Sequence, residues 1–278
     1  MLNMRFPEGR ARAVTLSYDD GVEQDRQLMQ ILDNSGLRCT FNLNTGCFPP
    51  EGHTWPQGQI HRRMPESSVK ALYQGGVHEV AVHTLTHPDL TQLPPVAMVK
   101  EIYEDRLNLE KLFGCIVRGA AYPYGAYSDA TVEALRSCGI VYCRTVEATR
   151  NFFMPQDWLR LKATCHHGDP ALEDLCDRFL REDKPVGPRL FYMWGHAYEF
   201  EANDNWQVIE RFAGRMGGHE EIWYATNIAI HDYAHAWGEL QVNAAGTAAY
   251  NPTAQTLWAQ ADQNRVIRLP AGEVTALK

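Results

Sequence analysis

Short runs of β-branched and aromatic residues alternate with longer amphipathic stretches between residues 13 and 238. This alternation predicts repeated strand–helix units around a mainly parallel sheet. The runs with the character of strands are AVTLSY, RCTFNL, HEVAV, RGAAY, GIVYCR, WLRLKA, RLFYMW and IWYATN. Seven or eight units in about 225 residues favour a distorted (β/α) barrel. An open doubly wound sheet is the alternative.

Helical periodicity marks residues 22–35, 94–113, 128–138 and 171–181, which lie between the predicted strands. Ser128 stands where a helix begins, and Gly36, Gly114 and Gly139 stand where helices end.

The character of the chain changes after residue 238. Helical periodicity stops there, and short runs are broken by NAAG, YNP and LPAG. We therefore predict a barrel domain over residues 1–238 and a small β-rich C-terminal appendage over residues 239–278.

Charge and composition narrow the range of partners. The net charge of -8 and the pI near 5.8 argue against nucleic acid and against anionic membranes, since both require a basic face. No apolar run approaches the roughly 20 residues of a membrane span, and the first residues lack the order of a signal peptide. Seven cysteines without a CxxC pair fit reduced thiols. These features predict a cytoplasmic protein and leave its oligomeric state open.

Polar residues collect at the carboxyl ends of the predicted strands, where barrel enzymes place their chemistry. Asp19 and Asp20 end the first strand, His83 ends HEVAV, and His196 follows RLFYMW. If the segment after His83 turns helically, His87 lies on the same side as His83. One carboxylate and two imidazoles form a ligand set that leaves positions open for water and substrate.

The adjacent aspartates repel each other, so a cation between them has a physical reason to be there. At a strand end the chain can turn so that one aspartate binds the metal and the other faces its water. A divalent ion lowers the pKa of bound water from about 15.7 towards roughly 7. Zinc is the first expectation for an imidazole-rich site, and Co, Ni or Mn fit the same ligands.

The motifs LSYDDG, HTLTH, YPYG and WGHAY occur in this order and resemble those of the polysaccharide deacetylases with a NodB-homology domain, carbohydrate esterase family four. The resemblance covers roughly residues 13–227 and implies a distorted (β/α) barrel. It also implies that Asp19 is the catalytic base and that His196 is the acid. The implied metal ligands are Asp20, His83 and His87.

The resemblance assigns further roles around this core. The backbone N–H of Tyr124, which follows Pro123 at the end of RGAAY, is implied to hold the oxyanion. Asp157 and Trp158 match, loosely, an Asp-Trp element that orients and packs the acid.

The sequence departs from the family pattern at two places. Ala121 stands where the family often has an arginine that pairs with the base, and Trp194 stands where it usually has leucine. We therefore expect a differently tuned base and a substrate pocket unlike that of the chitin or peptidoglycan enzymes.

Other residues near the motifs are candidates for the pocket. We expect Trp194 and Tyr198 to flank the acid and His166, in the segment CHHGD, to line the pocket. His231 and His235 repeat the four-residue spacing, but we expect at most adventitious metal binding there.

We therefore predict a metal-dependent hydrolase that removes acetyl groups from an N-acetylated or O-acetylated sugar, with an oligosaccharide or glycoside as substrate. The alternatives are an amidohydrolase acting on a small non-sugar amide and a catalytically idle carbohydrate-binding protein.

Overall fold

The computed structural model describes residues 2–181, 186–261 and 265–277 of the chain. Its strands are β1 (Asn3–Arg5), β2 (Arg12–Asp19), β3 (Cys39–Leu43), β4 (Glu79–Val82), β5 (Gly119–Ala121), β6 (Tyr142–Ala148), β7 (Leu161–Ala163), β8 (Cys165–His166), β9 (Arg189–Gly195), β10 (Ile222–Tyr224), β11 (Gln241–Val242), β12 (Ala248–Tyr250), β13 (Leu257–Gln260), β14 (Val266–Leu269) and β15 (Val274–Ala276).

Helices connect most of the parallel strands. They are α1 (Asp25–Asn34), α2 (Glu66–Tyr73), α3 (Pro95–Phe113), α4 (Asp129–Ser137), α5 (Leu172–Arg181), α6 (Tyr198–Ala202), α7 (Gln207–Met216) and α8 (Asn227–Gly238). Single 3-10 turns are η1 (Pro7–Gly9), η2 (Thr45–Cys47), η3 (Leu90–Gln92), η4 (Pro123–Gly125) and η5 (Trp158–Arg160).

The main sheet is parallel, with the strand order β7-β6-β5-β4-β3-β2-β9-β8. β10 pairs with the first half of β2, which β3 leaves free because its own pairing begins at Leu16. The end strands β7 and β8 are consecutive stretches of chain separated by Thr164, whose N–H donates to Tyr192 O at 2.8 Å. The sheet therefore returns on itself through this bend, and the predicted distorted barrel is confirmed.

Two apolar cores lie on opposite faces of the sheet. Successive residues of β9 alternate between them, so that Phe191 and Met193 face the helices while Leu190 and Tyr192 face the barrel interior. Leu257 of β13 belongs to the interior core as well. The C-terminal strands thus complete the core of the barrel.

Local signals set the ends of the helices. Ser128 accepts a hydrogen bond from Thr131 N and forms a capping box at the start of α4, as predicted. α3 ends at Gly114, whose φ of 67° is the left-handed conformation that glycine adopts most readily. The four predicted helices are present with shifts of at most three residues. In WLRLKA, the first half forms η5 and only Leu161–Ala163 form a strand.

The region after residue 238 contains short β-strands, as its turn signals indicate. β11, β12 and β15 form one antiparallel sheet, and β1, β13 and β14 form another. β1 lies within the predicted barrel domain but pairs with β13 of the predicted appendage. The division at residues 238 and 239 stays a prediction.

None of the helices in the described part of the chain combines the length and apolar character needed to cross a bilayer.

Candidate active site

Asp19 and Asp20 occupy the carboxyl end of β2, and both side chains are buried. Asp19 is the last residue of the strand, while Asp20 has a φ of 82° and Gly21 a φ of 64°. A left-handed non-glycine residue is strained and persists only where its surroundings enforce it. This turn breaks the alternation of the strand, so the two carboxylates can serve the same site.

Asp19 is held by charged and polar neighbours in the barrel interior. Arg144 Nη2 forms a buried ion pair with Asp19 Oδ2, and Asn42 Nδ2 donates to Oδ1 at 2.8 Å. Burial alone raises the pKa of Asp19, but Arg144 and the nearby His83 and His196 outweigh it and hold the pKa below its ordinary value. Asp19 is therefore ionised at neutral pH, as a proton acceptor must be.

Arg144 supplies the guanidinium that the sequence lacks at position 121. Ala121 on β5 and Arg144 on β6 are direct neighbours in the parallel ladder. The arginine therefore stands one strand further along, at the same level of the barrel. Arg144 also places its guanidinium 4.3 Å from the ring of Trp194. The guanidinium missing at Ala121 is therefore provided by the neighbouring strand.

The predicted metal ligands converge at this end of the barrel. One ligand atom from each of Asp20, His83 and His87 lies within 4.8 Å of the others. The segment after His83 is not the expected helical turn, since Thr84 and His87 have φ values of 66° and 60°. These left-handed residues curl the loop instead and bring the two imidazole centroids to 4.8 Å.

Both imidazoles have the protonation that a metal requires. His83 Nδ1 donates to Ala121 O at 2.9 Å, which leaves Nε2 free. Burial lowers the pKa of His83, and burial together with His83 lowers that of His87 to about 4. The pKa of Asp20 is lowered as well, since hydrogen bonding to His61 and nearby positive charge outweigh its burial. One carboxylate and two neutral imidazoles fit a divalent metal ion.

The loop between η2 and α2 reaches Asp20. His61 Nε2 lies 3.1 Å from Asp20 Oδ2, and Arg63 Nη2 donates to Oδ1 at 2.6 Å. Behind the ligands, Asp105 of α3 accepts the His83 N–H at 3.1 Å and fixes the start of the ligand loop. Sequence reasoning did not identify these three residues.

Tyr124 lies next to the predicted metal ligands. Its φ is 59°, and its ring packs edge to face against His87 with centroids 4.8 Å apart. Pro123 is buried at the start of η4, whereas the side chain of Tyr124 is exposed. The backbone of η4 is therefore held beside the ligand set.

His196 approaches Asp19 from the other side of the barrel. Its Nε2 lies 3.7 Å from Asp19 Oδ2, and its Nδ1 lies 3.2 Å from Glu199 Oε1. Burial lowers the pKa of His196, but the hydrogen bond to Glu199 and the charge of Asp19 raise it by more. A raised pKa suits a proton donor.

The aromatic neighbours of His196 are those predicted. The rings of Trp194 and Tyr198 lie 5.7 Å and 5.2 Å from its centroid, and His166 lies at 6.5 Å. These three side chains form one wall of the site.

The structure places Asp157 and Trp158 in contact with groups other than His196. Asp157 accepts hydrogen bonds from the backbone of η5 and from Arg160 Nη1 at 2.8 Å, and Trp158 packs edge-on against His231. The carboxylate beside His196 is instead Glu199. It lies one helical turn further along the chain, a spacing that could have been noticed in the sequence.

His231 and His235 stack on α8 with centroids 6.0 Å apart, and His231 pairs with Asp232. They are not part of any three-ligand group found among residues 2–181, 186–261 and 265–277.

Part of the chain is similar in sequence to known proteins. Residues 7–143 match the sequence profile of the polysaccharide deacetylases. A chitooligosaccharide deacetylase from Sinorhizobium fredii is 26% identical over 180 residues, which cover 63% of this chain and 69% of that protein. One from Rhizobium leguminosarum bv. phaseoli is 30% identical over 90 residues, or 32% of this chain and 37% of that protein.

Solved structures share the fold at low sequence identity. A Mycobacterium smegmatis protein classed among the polysaccharide deacetylases superposes with a TM-score of 0.59 at 15% identity, over 85% of this chain and 94% of that one. The Xyl-CE4 domain of a multidomain xylanase from the hindgut metagenome of Trinervitermes trinervoides gives 0.52 at 14% identity, over 84% and 93%.

Proposed function

Since this chain belongs to the polysaccharide deacetylase family, we propose that it is a metal-dependent hydrolase that removes acetyl groups from an N-acetylated or O-acetylated sugar. Both curated relatives are named chitooligosaccharide deacetylases, which supports an oligomer of N-acetylated amino sugars as the first substrate to test. A cytoplasmic location stays a prediction from the sequence.

The position of Asp19 carries the proposal. Its Oδ2 lies 3.8 Å from His83 Nε2 and 3.7 Å from His196 Nε2, so the ionised carboxylate stands between the ligand set and the proton donor. A water molecule bound between these groups would have Asp19 as its base. His196 would then be the acid that protonates the leaving group of the substrate.

Each residue of the site then has a separate role in the reaction. Asp19 accepts the proton of the attacking water, and the backbone N–H of Tyr124 donates to the carbonyl oxygen as negative charge develops there. His196 delivers a proton to the departing nitrogen or oxygen of the sugar. Asp20, His83 and His87 would hold a divalent ion, zinc in the first instance, which acidifies water and polarises the acetyl carbonyl.

The test is acetate release from a panel of N-acetylated and O-acetylated mono- and oligosaccharides, with and without a chelator. Asp19→Asn keeps the shape of the side chain but removes the base, so we expect kcat to fall by about 10²- to 10⁴-fold. Asp129→Asn is the matched control, because that carboxylate is fully exposed on α4.

The outcomes separate the alternatives. Chelator-resistant release, or full activity in Asp19→Asn, would contradict the proposed mechanism. Release of acid from a small amide but from no sugar would favour the amidohydrolase. Sugar binding without turnover in the wild-type protein would favour the idle binder.

A further inference from the structure

Three imidazoles surround the carboxylate of Glu199 on α6. His196 Nδ1 lies 3.2 Å from Oε1, while His166 Nε2 and His167 Nε2 lie 3.0 Å and 2.9 Å from Oε2. His167 is buried, and the other three side chains are partly so. Both contacts with Oε2 are ion-pair distances without hydrogen-bond geometry, so Oε2 has no hydrogen-bond partner among the described residues.

The contacts of the outer nitrogens indicate which tautomers the two rings favour. The backbone N–H of Gly168 donates to His166 Nδ1 at 3.0 Å, so a neutral His166 must carry its proton on Nε2. The hydroxyl of buried Tyr18 lies 3.2 Å from His167 Nδ1 and can donate to it in the same way. A neutral form of either ring would therefore carry its proton on Nε2, the nitrogen nearest Glu199.

The same geometry argues against a second metal ion. Ligand atoms of His166, His196 and Glu199 lie within 4.8 Å of one another, a spacing that a metal could bridge. A metal on His166 Nε2 would require the proton on Nδ1, where it would meet the N–H of Gly168. The position of the Gly168 N–H therefore favours contact of His166 with Glu199 over a metal ion.

We propose that Glu199 is the positioning residue of His196 and that His166 and His167 hold Glu199 in place. By accepting the Nδ1–H of His196, Glu199 fixes the ring so that Nε2 points at Asp19. This inference rests on the proposed function, in which His196 is the acid. It also gives the segment CHHGD a role that its sequence did not reveal.

The groups that face His196 come from several elements. They are Asp19 from β2, His166 from β8, Trp194 from β9, and Tyr198 and Glu199 from α6. Among the charged groups, Glu199 alone contacts Nδ1 within the described part of the chain. The tautomer of His196 is therefore a specific reporter of this contact.

The experiment compares Glu199→Gln with Glu133→Gln, which makes the same change at an exposed side chain of α4. Side-chain ¹⁵N NMR of the full chain gives the tautomer of His196, and steady-state kinetics give kcat and KM. We expect Glu199→Gln to redistribute the His196 proton between its nitrogens and to lower kcat by about 10²-fold or more, with little change in KM. Glu133→Gln should match the wild type in both.

Further readouts make the result decisive. An unchanged tautomer and an unchanged kcat in Glu199→Gln would overturn the proposal. So would a second equivalent of zinc per chain that disappears in this variant, since the cluster would then be a metal site. If Glu199→Gln does not fold, Glu199→Asp replaces it: it retains the acceptor, and we expect it to keep the wild-type tautomer and recover part of kcat.

The tautomer is measured without turnover. If the wild-type protein releases no acetate but Glu199→Gln still alters His196, the proposed function fails while the positioning role stands.

Discussion

Arg144 is fully buried and forms its ion pair with Asp19 inside the barrel. Removing one partner of a buried pair leaves the other charge uncompensated, which commonly costs about 3–5 kcal/mol. We therefore expect Arg144→Gln to lower the free energy of unfolding at neutral pH by about this amount. The acid limb of activity should also move to higher pH, because Asp19 loses the charge that favours its ionised form.

The pH dependence of this stability follows from the lowered pKa of Asp19. Because the pKa of Asp19 is below its ordinary value, the ionised carboxylate stabilises the fold at neutral pH, and this stabilisation is lost as the pH falls through the folded-state pKa. Urea unfolding at several pH values measures the effect. The control is Arg136→Gln, an exposed pair partner on α4 that should cost under about 0.5 kcal/mol. Equal stability of the two variants would contradict the prediction.

The sequence allowed only part of the site to be predicted at this scale. Asp19, Asp20, His83 and His196 could be grouped because carboxyl ends of parallel strands share one end of a barrel. Arg144 could not, because its contact with Asp19 depends on the register between β5 and β6 and on which face of β6 is interior.

Among the elements, α1 carries an unusual carboxyl group in its first turn. Asp25 is fully buried and accepts hydrogen bonds from Val22 N at 3.0 Å and from Tyr73 Oη of α2 at 2.6 Å. Burial raises the pKa of Asp25 to about 8. The folded protein therefore retains a proton that the unfolded chain releases near pH 4.

Stability must then decrease as the pH rises between these two values, because the unfolded state binds fewer protons there. Asp25→Asn cannot ionise. We expect the stability of the wild type relative to this variant to fall steadily from pH 5 to pH 8 in urea titrations. Asp174→Asn, which changes an exposed side chain in the first turn of α5, should show no such trend. Parallel curves for wild type and Asp25→Asn would refute the assignment.

The elements themselves were mostly predictable, because strands buried on both faces and amphipathic helices have distinct patterns. The conformation of residues 83–87 could not be read from the sequence. A four-residue histidine spacing suits a helix, but here Thr84 and His87 adopt left-handed conformations that no local pattern announces. The strand expected over WLRLKA begins late because Asp157 caps η5 through the N–H groups of Leu159 and Arg160.

For the whole molecule, the C-terminal strands are part of the structural core. Leu257 and Leu269 are fully buried in the cluster that includes Tyr192 of the barrel, and β13 pairs with β1. We expect a chain truncated after Gly238 to lose cooperative unfolding or to become insoluble, because this apolar surface would meet water.

Leu257→Ala provides a milder version of the same test, with an expected cost of about 2–5 kcal/mol. Thermal unfolding followed by circular dichroism measures both. A truncated chain that melts like the wild type would instead support an independent barrel domain ending at residue 238.

The bend at Thr164 affects how readily the sheet can pair with another protein chain. An open parallel sheet ends in strands whose free N–H and C=O groups can template pairing with another chain. Here the two ends of the strand order are neighbouring pieces of one polypeptide, β7 facing β6 and β8 facing β9. Both end strands are short, with three residues in β7 and two in β8, and they are joined through Thr164, so neither offers a long edge on which another chain could pair.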